Sequence, residues 1–280
     1  MRISFTRKSG IYAILLFFAV IYGIPYFFML TTAFKSPRQV LAYPLEWFPN
    51  PIVFRNIPEV WRIINFPRAL FNSIVITFST TFGTLFACYT TAFGFARIDF
   101  KGRTFFFALV LSTMMLPPQV TYIPLFVILQ RIGWINTFKP FYVPAFLGGG
   151  IQGGVYIFLL RQFLLTIPRD FDDAARIDGC STFGMYWRIF LPLTKPALVS
   201  VGILSFVFNW NNYFGPLVFI NSNAKKPLTL AIALLKDQQG AQQYNLVMMG
   251  ACLTVIPCII IFLLLQRYFV KGITMSGIKG

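Results

Sequence analysis

Apolar residues along this chain run in long blocks. They show neither the alternation of a half-buried strand nor the stripe of a surface helix. Six windows contain no Asp, Glu, Lys, Arg or His: 9–34, 69–96, 104–130, 140–160, 196–224 and 238–266. Each is longer than the roughly 20 residues with which a helix crosses a bilayer. The pattern predicts an all-α, polytopic membrane protein with six transmembrane helices. The first window is too long for a cleaved signal and lacks a clear small-residue cleavage site. The expected organisation is a tail 1–8, a first span 9–34, an outer loop 35–68, a membrane core 69–267 and a tail 268–280. Within the loop, Pro37, Pro44, Trp47, Pro49, Pro51 and Trp61 read as a connector at the outer interface. The second window is rich in small and hydroxylated residues such as Ser79, Thr80, Thr84 and Ala87, which mark close helix packing in membranes. Pro117 and Pro118 lie in the third window. The glycines at 148–150, 153 and 154 in the fourth predict tight packing or a bend.

Composition agrees. Charged residues make up 11% of the chain and hydrophobic residues 57%, whereas soluble domains carry about 25% charge. The net charge of +16 is spread over span ends rather than gathered into a stripe, so nucleic-acid binding is excluded. With the N-terminus inside, 14 of the 24 basic residues fall in inside segments, which predicts both termini in the cytoplasm. There is no histidine, and Cys88, Cys180, Cys252 and Cys258 lack metal-ligand spacing, so neither a metal site nor a disulfide is expected. No G-x-x-x-x-G-K-[ST] loop is present to cradle nucleotide phosphates. A membrane enzyme is disfavoured because no paired carboxylates, Ser/Lys pair or metal ligands occur in or beside the windows. The alternative of an ion-coupled secondary transporter for a small polar solute needs ionisable groups inside the membrane, and the windows hold none.

The charge is concentrated at 167–196. Four of the eight acidic residues, Asp170, Asp172, Asp173 and Asp178, lie within nine positions. At about 2.5–3.5 kcal/mol per charge in hydrocarbon, this segment must stand in water. Asp170 is placed to cap a helix, with Asp173 as its capping-box partner. Gly179 fits the left-handed residue that ends a helix. Ser181 is placed to cap a second helix reaching about Leu191, where Pro192 stops it. Ala174 and Ala175 leave a bare face for the close approach of a partner. Further on, Asn209, Trp210, Asn211, Asn212 and Tyr213 set amides beside aromatic rings, the chemistry that pairs sugar hydroxyls and covers sugar faces. At about 100° per residue, Asn209 with Asn212, or Trp210 with Tyr213, would face the pore. The amide pair is the choice, with Trp210 as an apolar wall.

Asp173-Ala174-Ala175, Asp178-Gly179, Leu191-Pro192-Leu193 and Pro196 together resemble the EAA loop of ABC importer permeases. The departure is Asp173, where the family usually has Glu. Met114-Met115-Leu116-Pro117, Gly133, Asn136-Thr137, Phe158 to Phe163 and the Trp-Asn of Trp210-Asn211 are similar to the sugar (maltose-type) branch, and the tail from Arg267 to Gly272 resembles the family's cytoplasmic tail. The resemblance implies a type I ABC importer permease fold in a bacterial cell membrane, and a sugar-importing permease, not an enzyme. It also implies a second homologous permease, an extracellular or periplasmic sugar-binding protein and an ABC ATPase dimer. No cofactor is expected on this chain, ATP and magnesium being bound by the ATPase. The resemblance assigns ATPase coupling to Asp173, Ala174, Ala175, Asp178, Gly179, Leu191 and Pro192. It strengthens the case for a sugar path along Asn209, Trp210, Asn212 and Tyr213.

Overall fold

The computed structural model describes residues 5–235 and 243–276, and these contain helices and no strand. In chain order the helices are α1 (Phe5–Ala33), α2 (Pro37–Val40), α3 (Asn56–Ile63), α4 (Phe66–Arg97), α5 (Arg103–Thr113), α6 (Pro118–Arg131), α7 (Lys139–Gly148) and α8 (Gly153–Thr166). Then come α9 (Asp170–Ile177), α10 (Thr182–Trp210), α11 (Phe214–Phe219), α12 (Leu228–Ala233) and α13 (Tyr244–Ser276). The chain divides into two compact units. One is Met1–Pro67 with Ala231–Pro257, and the other is Arg68–Leu230 with Cys258–Gly280.

Among the described residues, α1, α4, the α7–α8 stretch and α10 are each long and apolar enough to cross a membrane. The α5–α6 pair makes a fifth span if its halves count as one, and the sixth window falls on α13. The tail expected from 268 is helical as far as Ser276.

In the first unit, the loop after α1 is not the plain connector expected. The Asn56 amide donates to the carbonyls of Ala33 and Lys35 at 2.8 and 2.9 Å, and Asn245 donates to Asn56 Oδ1 at 3.3 Å. Lys35 is buried over the Phe28 ring, its ammonium donating to the Glu46 carbonyl. Ser36 and Gln39 close a capping box on α2. These side chains satisfy backbone groups that an irregular segment leaves open, and so give it one conformation.

The second unit is built around α4, α8 and α10. Tyr89, Phe93, Leu160, Leu164, Tyr186 and Phe190 form its core. The third span expected at 104–130 is two helices bent by 98°. Neither Pro117 nor Pro118 has an N–H to continue the ladder, and Pro117 is extended at φ −59°, ψ 131°. The glycine run between α7 and α8 fills both roles expected of it. Gly149 and Gly150 take left-handed backbone at φ +79° and +68°. A Cβ on Gly149 would lie 2.3 Å from Cys88 Sγ, and one on Gly154 2.6 Å from Thr113 Oγ1, so α4 and α5 approach where a methyl cannot fit.

The turn 221–228 is fixed by side chains from two other parts of this unit. Asn136 Oδ1 accepts from the Ser222 N–H at 3.1 Å and the Ser222 hydroxyl at 2.9 Å, and the Asn136 carbonyl accepts from Lys225 Nζ at 2.6 Å. At the start of α4, Asn72 donates to the carbonyls of Ala224 and Lys226 at 3.0 and 3.1 Å, and Ser73 Oγ accepts from the Leu228 N–H at 2.8 Å.

Candidate functional site

The charged segment forms a helical elbow, with changes from the expected caps. Arg169 already has helical backbone (φ −66°, ψ −22°), so α9 starts at Asp170 and no side chain caps it. Asp170 is therefore not an N-cap, and the capping box with Asp173 does not form. Asp170, Asp172 and Asp173 instead occupy the first turn, at the positive end of the helix dipole. The helix ends as expected. Gly179 is left-handed at φ +72°, the Gly179 N–H donates to the Arg176 carbonyl at 3.0 Å, and the Cys180 N–H to the Ala175 carbonyl at 2.8 Å. That pair of bonds is a Schellman motif. A Cβ on Gly179 would meet nothing within 4 Å, so backbone conformation and not space requires glycine here. Ser181 Oγ accepts from the Gly184 N–H at 3.2 Å and caps α10.

Pro192 does not stop that helix, which continues to Trp210. The turn just before it, Met185–Phe190, is a π-helix. The wider turn moves preceding carbonyls out of the way of the proline ring, so the chain stays helical. Leu191 and Pro192 therefore lie inside a long helix, not at the end of a loop. The alanines do not share a bare face either. Ala175 is buried in the core, while Ala174 is exposed beside Asp173. The outward apolar groups are Ile177, 86% exposed, and Phe183, 73% exposed. Phe183 and Trp187 border an open groove of ≈ 680 Å³ that Gly179, Cys180 and Ser181 also line.

Sequence reasoning placed Asp172 in water, but it is buried against Arg97. Arg97 Nη1 donates to Asp172 Oδ2 at 2.7 Å. Arg97 Nη2 donates to the Leu164 carbonyl and, at 2.7 Å, to the Ile167 carbonyl, and the guanidinium lies 4.5 Å from the centre of the Phe190 ring. Nothing in the sequence separates Asp172 from the exposed Asp170 and Asp173; Asp172 and Ala175 are three apart and share the helix face that the structure turns inward.

At the far end of α10, helical spacing holds only as far as Trp210. Asn211 is the C-cap, and Asn212 and Tyr213 lie in the link to α11. Asn209 and Asn212 nevertheless line one cavity of ≈ 50 Å³ with Thr80, Thr84, Tyr122 and Gln152. Asn209 Nδ2 donates to the Ser205 carbonyl at 2.8 Å, and Asn212 Oδ1 accepts from the Gly215 N–H at 3.0 Å. The buried Thr80 Oγ1 makes no hydrogen bond among the described residues. Trp210 is not a wall of this cavity: it is buried and stacked on Phe206 at 5.5 Å. Tyr213 is exposed and also lies outside the cavity lining. A space of this size takes about one or two waters, not a sugar ring.

Helices long and apolar enough to span a membrane, a charged helical elbow at one end of two of them and an uncharged cavity lined by amides and hydroxyls among apolar groups suit the membrane subunit of a solute transporter. The chain belongs to the family described as binding-protein-dependent transport system inner membrane component, which matches residues 79–275. It is a multi-pass permease of the cytoplasmic membrane and not an enzyme. It is 35% identical to the arabinooligosaccharides transport system permease protein AraQ of Bacillus subtilis, over 96% of this chain and 95% of that one. It is 29% identical to the sn-glycerol-3-phosphate transport system permease protein UgpE of Yersinia enterocolitica, over 90% of each. In fold it matches a chain of a bacterial ABC transporter involved in the import of the acidic polysaccharide alginate. The TM-score is 0.77 at 23% identity, covering 96% of this chain and 99% of that one.

Proposed function

We propose that this chain is the permease of an ATP-driven sugar importer, working with a second homologous permease, an ABC ATPase dimer and an extracellular sugar-binding protein. The ATPase docks on the elbow of α9 and the first turns of α10, contacting Asp173, Ala174, Asp178 and Ile177. Both chain termini and this elbow face the cytoplasm. ATP and magnesium are held by the ATPase, whose closure tilts α9 and opens the cavity at Asn209 and Asn212 to one side of the membrane. Solute then passes between these amides and the partner permease.

The observation that carries the substrate class is the neutrality of the cavity. Its polar lining is Thr80, Thr84, Tyr122, Gln152, Tyr156, Asn209 and Asn212, with no cation among them. Phosphate- and carboxylate-bearing solutes favour Arg or Lys partners, and hydroxyls favour amides and hydroxyls. The relative named for arabinooligosaccharides is in keeping with this. Ion coupling has no support from a lining without Asp, Glu or His.

The test is the complete complex in vesicles, with arabinotriose and glycerol 3-phosphate as alternative solutes. ATP-dependent uptake of arabinotriose and not of glycerol 3-phosphate is expected. Uptake of glycerol 3-phosphate alone, or uptake that follows an ion gradient without ATP, would sink the proposal.

A further inference from the structure

We infer that Arg97 is the joint that carries motion of the docking helix to the cavity, an inference that rests on the docking reading of α9. Arg97 is the last residue of α4, and its guanidinium reaches three other helices. It holds the final carbonyls of α8 at Leu164 and Ile167, the first-turn Asp172 of α9, and the Phe190 ring of α10. The Leu164 carbonyl takes the Ile167 N–H at 3.3 Å and the Ile167 carbonyl lies past the last turn, so a cation on both fixes the end of α8. A carboxylate in the first turn of α9 completes the charge balance. One side chain therefore locks α9 to three long helices. Arg161 adds to this, its Nε donating to the Phe95 carbonyl at 3.3 Å and its guanidinium stacking 4.0 Å from the centre of the Phe107 ring.

Those same three helices reach the cavity. Thr80 and Thr84 come from α4, Tyr156 from α8, and Phe208 and Asn209 from α10. From Arg97 to Thr84 along α4 is about 20 Å at 1.5 Å per residue. A rigid connection over that length needs a joint that does not slip at the docking end. The guanidinium supplies it, because its planar fork holds acceptors from two helix ends in one fixed geometry, Nη1 on Asp172 and Nη2 on the Leu164 and Ile167 carbonyls. Burial argues in the same direction. A buried ion pair can often be replaced by apolar residues without loss of stability, so stability alone gives little reason for one here. Arg97 Nε and Asp172 Oδ1 also make no hydrogen bond among the described residues, so the pair is not tuned for strength. What it adds is fixed geometry between α9 and the spans. Arg97 is thus a positioning residue, acting on the cavity through the helices it joins.

The experiment uses the assembled complex with the native cysteines replaced by alanine and one reporter, Thr84→Cys, in the cavity. A methanethiosulfonate reagent is the probe, with and without ATP and vanadate. A parallel variant, Ile177→Cys, tests cross-linking to the ATPase. With Arg97 present, nucleotide trapping should change the labelling rate at least tenfold. With Arg97→Gln the rate should change less than twofold, while Ile177→Cys still cross-links. If Ile177→Cys fails to cross-link in the parent, the docking reading falls and takes this inference with it. If it cross-links but trapping leaves the parent rate unchanged, or if Arg97→Gln responds like the parent, only the joint is refuted. Should Arg97→Gln not assemble, Asp172→Leu, close in size and unable to accept from Arg97, is read the same way, and a parent-like response from it refutes the joint. Failure of both variants to assemble would make the pair a folding element and would also refute it.

Discussion

Gly179 offers the sharpest test of the docking surface, because two effects that usually mix are separate there. A substituted Cβ meets nothing within 4 Å, so substitution neither clashes nor gains packing. Only the backbone is strained. Holding an L-residue at φ +72° costs about 1–2 kcal/mol. Asn tolerates this region best and β-branched residues least. Opposing the strain are the two bonds of the turn, from the Gly179 and Cys180 N–H groups, each contributing about 1 kcal/mol. Alanine should thus strain the turn and valine should break it, swinging Phe183 and the groove out of register with α9. If the ATPase binds the native elbow only, 1–2 kcal/mol corresponds to about 5–30-fold in affinity. Titrating the ATPase against the permease pair in detergent should rank affinities Gly, Asn, Ala, Val. Binding of Gly179→Val within twofold of the parent, or Gly179→Asn as weak as Val, would refute the reasoning.

Four other outcomes follow from the structure. Asn209→Leu and Asn212→Leu should each lower sugar-dependent transport about tenfold or more, since an unpaired buried hydroxyl or amide costs about 1–3 kcal/mol, while the ATPase still co-purifies; unchanged transport in both would assign the amides to packing. Gly149→Ala should destabilise by about 3 kcal/mol or more, read as a lower melting temperature in detergent. Adding Cys88→Ala should not rescue it, because the new Cβ would still lie 2.9 Å from Gly153 Cα. Asn136→Ala removes the acceptor of the Ser222 N–H and hydroxyl and should cost about 2 kcal/mol, with faster proteolysis at 221–226 as the readout. In sealed cells Cys180 should react with impermeant thiol reagents only after the cytoplasmic side is opened; labelling from outside alone would invert the proposed topology.

The membrane class, the helical content and the Gly179 turn were legible in the sequence because each follows from a local rule. Uncharged windows need no knowledge of neighbours, and the left-handed turn needs only the glycine. What was not legible depends on tertiary context. Pro192 reads as a stop unless the π turn before it is known. Asp172 reads as solvated until Arg97, 75 positions away, is brought against it. Ala174 and Ala175 look alike in sequence, and which of them faces inward is decided by packing against α4 and α8. At the cavity, spacing grouped Asn209 with Asn212, yet the helix ends between them, so the grouping came from tertiary structure and not from periodicity.

The contact of Arg97 with Asp172 also constrains how the chain threads the bilayer. Two side chains 2.7 Å apart lie on one side of it. Between them, therefore, the number of crossings must be even. The α7–α8 stretch contributes one, so the sharply bent α5–α6 pair must contribute another and cannot be a hairpin that dips in and returns. The clamps at the other end agree. Asn136, just after α6, holds Ser222 and Lys225, and Asn72, at the start of α4, holds Ala224 and Lys226. The start of α4 and the end of α6 thus share the face opposite Arg97. Neither half of the pair is long enough alone, at about 16 and 21 Å against a hydrocarbon core of about 30 Å. The crossing is completed in two oblique steps, and the backbone released at Met114 to Pro117 has to be sheltered by protein and not by lipid.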